Sequence, residues 1–449
     1  MRPSRHANGA EETSSGALAA ARRQLEEHLH LVRGSVGVMV STIAASITGW
    51  LFWVIATHHW PTSQIGVSTS LVAALTSIAL IAGQPIATTM LLRLPRSSGR
   101  LGLLAVGTSA AVGIALCECV VAIFVLPASV GVVRTPGLAA LFVIGSAAAA
   151  AGVVVDASSI AIRKPGLMVA RNGMHGGGKL LLLAAIAIPA GLVTAPFVVI
   201  GVWAAMSVGS TLWEWRRWHD AARAASDEAL GGTRDLRAGF EELRVGFGVQ
   251  VLGTLGGSLP PLLLPIVVVG VLGSVSAGWF SITWLVGGLC FLISPAVCQA
   301  LLAEGSLLPA QLDSKTRAAA VLSSGLLIVP VILYLTAGRI VLDIFGPSYG
   351  AHGTVLLRIL AISAIPDLIT NVAVARYRVQ GRLVAAAAIN VVIAIVAVGG
   401  TTWSLRAHGI NAAGWSWALA ETAGCVVLLG LLVLDRACRR VADGTGVPA

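Results

Sequence analysis

Apolar residues fill this chain in long runs separated by short polar breaks. Residues 36–57, 64–92, 101–126, 137–162, 178–194 and 196–215, then 245–271, 275–301, 318–340, 353–375, 383–404 and 410–434, form twelve such runs. Most come near or above the ~20 residues that carry a helix through a hydrocarbon core. In that core only helices and closed barrels satisfy their own backbone groups. The pattern therefore predicts an all-α polytopic membrane protein with twelve transmembrane helices. The cut between the fifth and sixth runs rests on Pro189, Gly191 and Pro196.

The longest internal polar stretch, residues 216–244, divides the chain into segments 36–215 and 245–435, two pseudo-symmetric six-helix bundles flanked by polar tails at 1–35 and 436–449. Because six is even, both halves enter the membrane from the same side, as in a parallel repeat. "RGSVGV" at 33–38 and "RVGFGV" at 244–249 share Arg, Gly and Val at matched offsets just before the first helix of each half.

Composition agrees with the pattern: charged residues make up 11% of the 449 positions, hydrophobic ones 56%, and mean hydropathy is +0.87, against ~25% charged for soluble domains. With the N-terminus placed in the cytoplasm, all but four of the 30 Lys and Arg fall on the inner side, the exceptions being Arg134, Arg339, Arg358 and Arg406. The positive-inside rule then puts both termini in the cytoplasm, and the net charge of +10 reports topology, not nucleic-acid binding. The first 35 residues mix Arg with Glu and lack a cleavage site, which marks a soluble tail and not a signal peptide.

The six cysteines, five of them inside apolar runs, show no disulfide or zinc spacing and read as small apolar filling. "GMHGGGKL" at 173–180 imitates a phosphate-binding loop, but Leu180 stands where the Mg²⁺-binding hydroxyl belongs and no strand precedes it. No cofactor is expected, and energy must come from a gradient, the membrane potential or removal of cargo. All outer connections are short, the longest being that around "DIFGPSYGAHG", which leaves no room for the outer domain that a lipid-linked sugar polymerase or transferase needs. The chain reads as a non-enzyme.

Several side chains stand out against the apolar background. Ser46, Trp50 and Trp53 share a face of the first run, with Thr42; Ser70, Ser77, Gln84 and Thr88 share a face of the second. These stripes either line a cavity, where Trp50 would stack on sugars and Gln84 would bond hydroxyls, or serve helix packing. Pro85 after Gln84 points to a broken helix facing a cavity. The acids Glu118, Asp156, Asp367 and Glu421 lie in apolar runs, where each costs at least ~2.5 kcal/mol on insertion. Asp367 and Asn371 are four apart, just after Pro366. Together with Glu421 and Asp156 they are candidates for coupling a proton or cation, or for a structural hydrogen-bonded role; Asp156 also has Arg163 and Lys164 within reach. Arg358 lies roughly 7–8 Å inside the outer boundary and either snorkels to the headgroups or contacts an anionic cargo. Arg33 and Arg244 occupy matched positions just before the first helix of each half, where they are positive-inside anchors or, if the halves face each other across a cavity, a diphosphate clamp.

"PLLLPIVVVGVLGSVSAGWFSITWLV" (261–286), "DIFGPSYGAHGTVLLRILAISAIP" (343–366), with its FG-x-x-Y outer turn, and "VVVDASSIAIRKPGLMVARN" (153–172) resemble the polysaccharide-exporter branch of the multidrug/oligosaccharidyl-lipid/polysaccharide superfamily. The resemblance runs from about residue 30 to 435. It implies two lobes around a central cavity that opens alternately to either side. It also implies a flippase of the bacterial inner membrane whose substrate is a polyprenyl-diphosphate-linked saccharide. The implied surroundings are membrane lipids, a coupling proton or cation, and polysaccharide-assembly membrane proteins. A cation-coupled small-molecule exporter of the same superfamily and a non-transporting scaffold remain alternatives.

Overall fold

The computed structural model describes residues 46–94, 100–127, 130, 135–162, 164–187, 194–225, 260–307 and 311–445. Among these residues all regular structure is helical. Helix α1 covers 46–59, followed by α2 (Thr62–Arg93), α3 (Arg100–Val125), α4 (Pro136–Ala161), α5 (Pro165–Ala187) and α6 (Ala195–Ala225). After residue 260 come α7 (Pro260–Gly287), α8 (Cys290–Leu307), α9 (Leu312–Asp343), α10 (Pro347–Val379), α11 (Leu383–His408) and α12 (Asn411–Thr445). Nine of these described helices are long and apolar enough to cross a bilayer.

Helix α2 is the most buried of the nine and packs along both α4 and α7. Glycine makes the α2–α7 approach possible: a Cβ on Gly66 would overlap the Ser274 carbonyl, and one on Gly278 would overlap the Thr62 carbonyl. Close backbone approach through small residues is how helices associate in lipid, where no hydrophobic drive separates helix from solvent. The exposed faces of α3, α9, α11 and α12 carry Val121, Phe124, Val329, Ile395 and Val426, the apolar coat expected of helices that meet lipid.

The expected boundary between the seventh and eighth runs appears inside α7, where Gly273 (φ 83, ψ 175) interrupts the helix. The eighth run is broken a second time at Gly288–Leu289, before α8 begins. The fifth run differs most from expectation. The helix starts at Pro165, thirteen residues before position 178, so Arg171, Asn172, His175 and Lys179 lie within α5 and not in a cytoplasmic connection. Its polar residues face the protein interior, with Arg171 and Lys179 buried, and an average over all faces hides such a helix. The same helix disposes of the phosphate-loop pattern: residues 173–180 are helical throughout, and none of the described glycines there has a positive φ.

Contacts near several of the described turns gather at two places. At the first, the α1–α2 turn meets α7 near Gly278, Pro127 meets Gly270, and Trp50 meets Phe345 of the α9–α10 turn. At the second, Arg376 pairs with Asp313, and Arg382 of the α10–α11 turn pairs with Asp435 of α12.

Candidate functional site

Among the described residues of the C-terminal half, a buried polar cluster is built from α8, α10 and α12. Asp367 is 6% exposed and Glu421 3% exposed. Ser294 Oγ donates to Asp367 Oδ2 at 2.8 Å, and Asn371 Nδ2 reaches Ser294 Oγ at 3.2 Å and the Asp367 carbonyl at 3.0 Å. Thr370 Oγ1 lies 2.8 Å from Glu421 Oε2 and 2.9 Å from the Asp367 carbonyl. The sequence spacing of Asp367 and Asn371 thus does place them on one face, and Glu421 joins them from α12. Ser294 and Thr370 complete the set and were not expected; isolated hydroxyls in apolar runs carry no distinguishing signal. Helix α10 passes through Pro366 and extends to Val379. A Cys425 Sγ contact to the Pro366 carbonyl at 3.6 Å adds a further tie between α10 and α12.

A second cluster lies between α4, α5 and α6. Arg171 Nη1 donates to Asp156 Oδ2 at 2.7 Å, and Nη2 reaches Thr211 Oγ1 at 3.3 Å. Thr211 in turn donates to the Ala148 carbonyl at 3.3 Å. Ser159 Oγ donates to Glu214 Oε1 at 2.7 Å, with Glu214 fully buried. Among the described residues Asp156 therefore pairs with Arg171, and not with Lys164; Arg163 lies outside them. Farther along α5, Lys179 Nζ sits 3.6 Å over the Trp203 ring, and His175 meets the same ring edge-on at 6.2 Å. Glu214, Arg171 and Lys179 escaped the sequence reading because two of them fell at the edges of apolar runs and one inside a polar stretch taken for a connection.

Other expected site residues are placed differently. Trp50 packs edge-on against Phe345 at 5.2 Å, and Trp53 is buried beside Phe52 at 5.3 Å. Ser70 and Ser77 donate to carbonyls one turn back, and Ser70 also reaches the Pro265 carbonyl across the α2–α7 contact at 3.2 Å. At Ser70 the hydroxyl joins two helices, as the packing reading expects; Ser77 bonds only its own helix. Gln84 is half-buried, and α2 runs through Pro85 without the break expected there; Thr88 and Thr89 donate to the Gln84 and Pro85 carbonyls. Arg358 is exposed on α10. Glu118 is half-buried on α3, and its Oε2 has no hydrogen-bond partner. Arg33, Arg244 and Thr42 lie outside the described residues. Among the described residues, no group of His, Cys, Asp and Glu is arranged to hold a metal ion, and Cys117, Cys119, Cys290, Cys298 and Cys425 are free thiols.

With this geometry in hand, comparison with known proteins is informative at the level of fold. No family model matches the chain, and no curated protein matches its sequence. Solved structures do. The inward-facing conformation of a multidrug resistance MATE family transporter of the MOP superfamily aligns over 90% of this chain and 96% of its own, with a TM-score of 0.63 and 12% identity. The lipid II flippase MurJ, in an inward closed conformation, aligns over 88% of this chain and 87% of its own, with a TM-score of 0.68 and 10% identity. A MOP superfamily transporter from Pyrococcus furiosus, described as having a binding pocket of reverse polarity, aligns over 90% of this chain and 95% of its own, with a TM-score of 0.58 and 13% identity. The chain thus has the fold of MOP superfamily transporters along nearly its whole length.

Proposed function

We propose that this protein is a flippase of the bacterial inner membrane that carries a polyprenyl-diphosphate-linked saccharide by alternating access, both termini lying in the cytoplasm. The observation that carries the transport reading is the Asp367–Ser294–Asn371–Thr370–Glu421 cluster, buried at mid-helix in a fold shared with transporters and a flippase. Carboxylates are costly in a membrane interior, and an ionisable residue there is by default a candidate for an ion or substrate pathway. On this reading Asp367 and Glu421 exchange a proton or cation as the halves reorient, with Asn371, Ser294 and Thr370 holding them in place. Support for the saccharide cargo comes from the likeness of residues 261–286 and 343–366 to polysaccharide exporters. On this reading Arg33 and Arg244, which precede the first apolar run of each half in the sequence, supply the guanidiniums that a diphosphate needs, while Arg358, Trp50 and Gln84 have secondary roles.

The similarity to MATE transporters favours one competing reading, a cation-coupled exporter of small molecules. A strain lacking this gene separates the two. For a flippase, a lipid-linked intermediate accumulates on the cytoplasmic leaflet, and Asp367→Asn or Glu421→Gln slows clearance at least tenfold while the protein still inserts. Normal lipid intermediates combined with increased retention of cationic dyes would overturn the saccharide reading in favour of the exporter.

A further inference from the structure

The cluster between α4, α5 and α6 carries an inference that does not depend on the cargo. We propose that Asp156 and Glu214 form a proton-binding site in which Glu214 carries the proton and Asp156 stays the ion-pair partner of Arg171.

The geometry leaves little choice. Four carboxyl oxygens are present, and two have donors: Arg171 Nη1 bonds Asp156 Oδ2, and Ser159 Oγ bonds Glu214 Oε1. The remaining two, Asp156 Oδ1 and Glu214 Oε2, are buried and have no donor, and the surrounding contacts bring the two acids together: Ser159, one turn beyond Asp156 on α4, bonds Glu214, and Arg171, which bonds Asp156, also reaches Thr211, one turn before Glu214 on α6. Ionised carboxylates only accept hydrogen bonds, so two facing oxygens attract each other only if one carries a hydrogen. Charge gives the same answer. Two carboxylates and one guanidinium leave one excess negative charge around a glutamate that is fully buried, and a single proton cancels it.

Partner strength decides which acid carries the proton. Asp156 accepts a charge-assisted bond from a guanidinium that is itself 7% exposed, whereas Glu214 accepts only a neutral hydroxyl. The assignment is therefore Glu214 Oε2–H donating to Asp156 Oδ1. Uptake of one proton converts the Glu214 carboxylate to the acid and takes the cluster from one net negative charge to neutral; release reverses both changes.

The groups facing the pair come from every side. Helix α4 supplies Ser159, and α6 supplies Thr211 together with Trp218, whose indole nitrogen is buried without a partner. Helix α5 supplies Arg171 and Asn172, with His175 and Lys179 successive turns farther along. Helix α3 packs on α4 with Glu118, whose neighbour Cys119 faces Ser146 ten positions along α4 from Asp156. Helix α2 presents no charged side chain between Thr62 and Leu91. Loss of the proton would leave Arg171 to balance two carboxylates, which gives the N-terminal half its own response to pH, independent of Asp367 and Glu421.

The test compares purified full-length wild type with Glu214→Gln and Asp156→Asn in lipid vesicles. Glutamine reproduces the protonated acid: its amide nitrogen donates to Asp156 and its oxygen accepts from Ser159. Glu214→Gln should therefore fold with a melting temperature at neutral pH at or above wild type, and Asp156→Asn should melt lower because Arg171 loses its counter-charge. In the infrared difference spectrum of wild type minus Glu214→Gln at neutral pH, the expected signal is the carbonyl stretch of one protonated carboxyl per chain, shifting in D₂O. An ionised-carboxylate signal in its place overturns the proposal. So does failure of Glu214→Gln to fold, or greater tolerance of Asp156→Asn than of Glu214→Gln.

Discussion

In the C-terminal cluster each acid relies on a hydroxyl: Ser294 for Asp367, Thr370 for Glu421. Ser294 has the larger task, since its oxygen also accepts from Asn371. Replacing it with Ala leaves a buried carboxylate oxygen and an amide hydrogen without partners, a cost of about 1–3 kcal/mol for a group stranded in this way. Ser294→Ala should lower stability against denaturant by that amount, whereas Thr402→Ala, at an exposed position on α11 where the hydroxyl only bonds its own helix, should change it by less than about 0.5 kcal/mol. Equal losses at both positions would mean that Ser294 has no special part in holding Asp367. At this scale the sequence was informative where a residue contradicts its surroundings. Asp367, Asn371 and Glu421 are visible because acids and amides are rare in apolar runs, and the spacing of the first two places them on one face of α10, whereas nothing in the spacing brings Glu421 to them. Ser294 and Thr370 are invisible because hydroxyls are common in membrane helices and can satisfy themselves on their own backbone, as Ser77 does.

Among the elements, most helices follow directly from the length of their apolar runs. The exceptions are those in which a polar face turns inward or the backbone breaks. Helix α5 shows the first case: Arg171, His175 and Lys179 recur every four positions, and its four glycines between 173 and 178 lower the mean hydropathy further. A window average over such a helix resembles a loop, although its fourfold spacing was there to be read. Helix α7 shows the second. Gly273, at φ 83 and ψ 175, occupies a backbone region that is nearly closed to residues with a Cβ, although nothing lies within 4 Å of the position where one would be. The obstacle to substitution there is the backbone itself and not crowding. Gly273→Ala should cost about 1–3 kcal/mol. Gly113→Ala, in helix α3 and also with open space around it, should be neutral or gain up to about 1 kcal/mol. Chemical unfolding monitored by tryptophan fluorescence would measure both; a neutral Gly273→Ala would mean that the break between the two segments of α7 can relax to ordinary helix.

At the scale of the whole molecule, the described helices before residue 226 meet those after residue 259 at two places among others: the glycine-lined approach of α2 to α7, and an aromatic cluster where the α1–α2 and α9–α10 turns meet. In that cluster Trp50 packs edge-on against Phe345, which is fully buried, with Phe52, Trp53, Trp60 and Tyr349 in the same apolar core. Gly346 makes the turn that positions Phe345: its φ of 128 permits a sharp reversal before Pro347 opens α10. If the protein alternates as proposed, this cluster is what holds the structure closed at that end, and weakening it shifts a population without altering either half. An aromatic pair is worth about 0.5–1.5 kcal/mol beyond its buried area, so losing the Trp50 ring should raise the fraction open at that end by about two- to twelvefold. Nitroxide labels at His59→Cys and Ser348→Cys, both exposed positions beside the cluster, report the separation in a chain whose six native cysteines are replaced by Ala. Trp50→Ala should move weight in the distance distribution toward longer separations, and Glu421→Gln, distant from the cluster, should leave the label pair able to sample both. A distribution in Trp50→Ala that is single, narrow and identical to that of the parent would mean the aromatic contact does not hold this end shut, and the closure would have to be sought along the α2–α7 contact, where Gly66 and Gly278 bring the two backbones together.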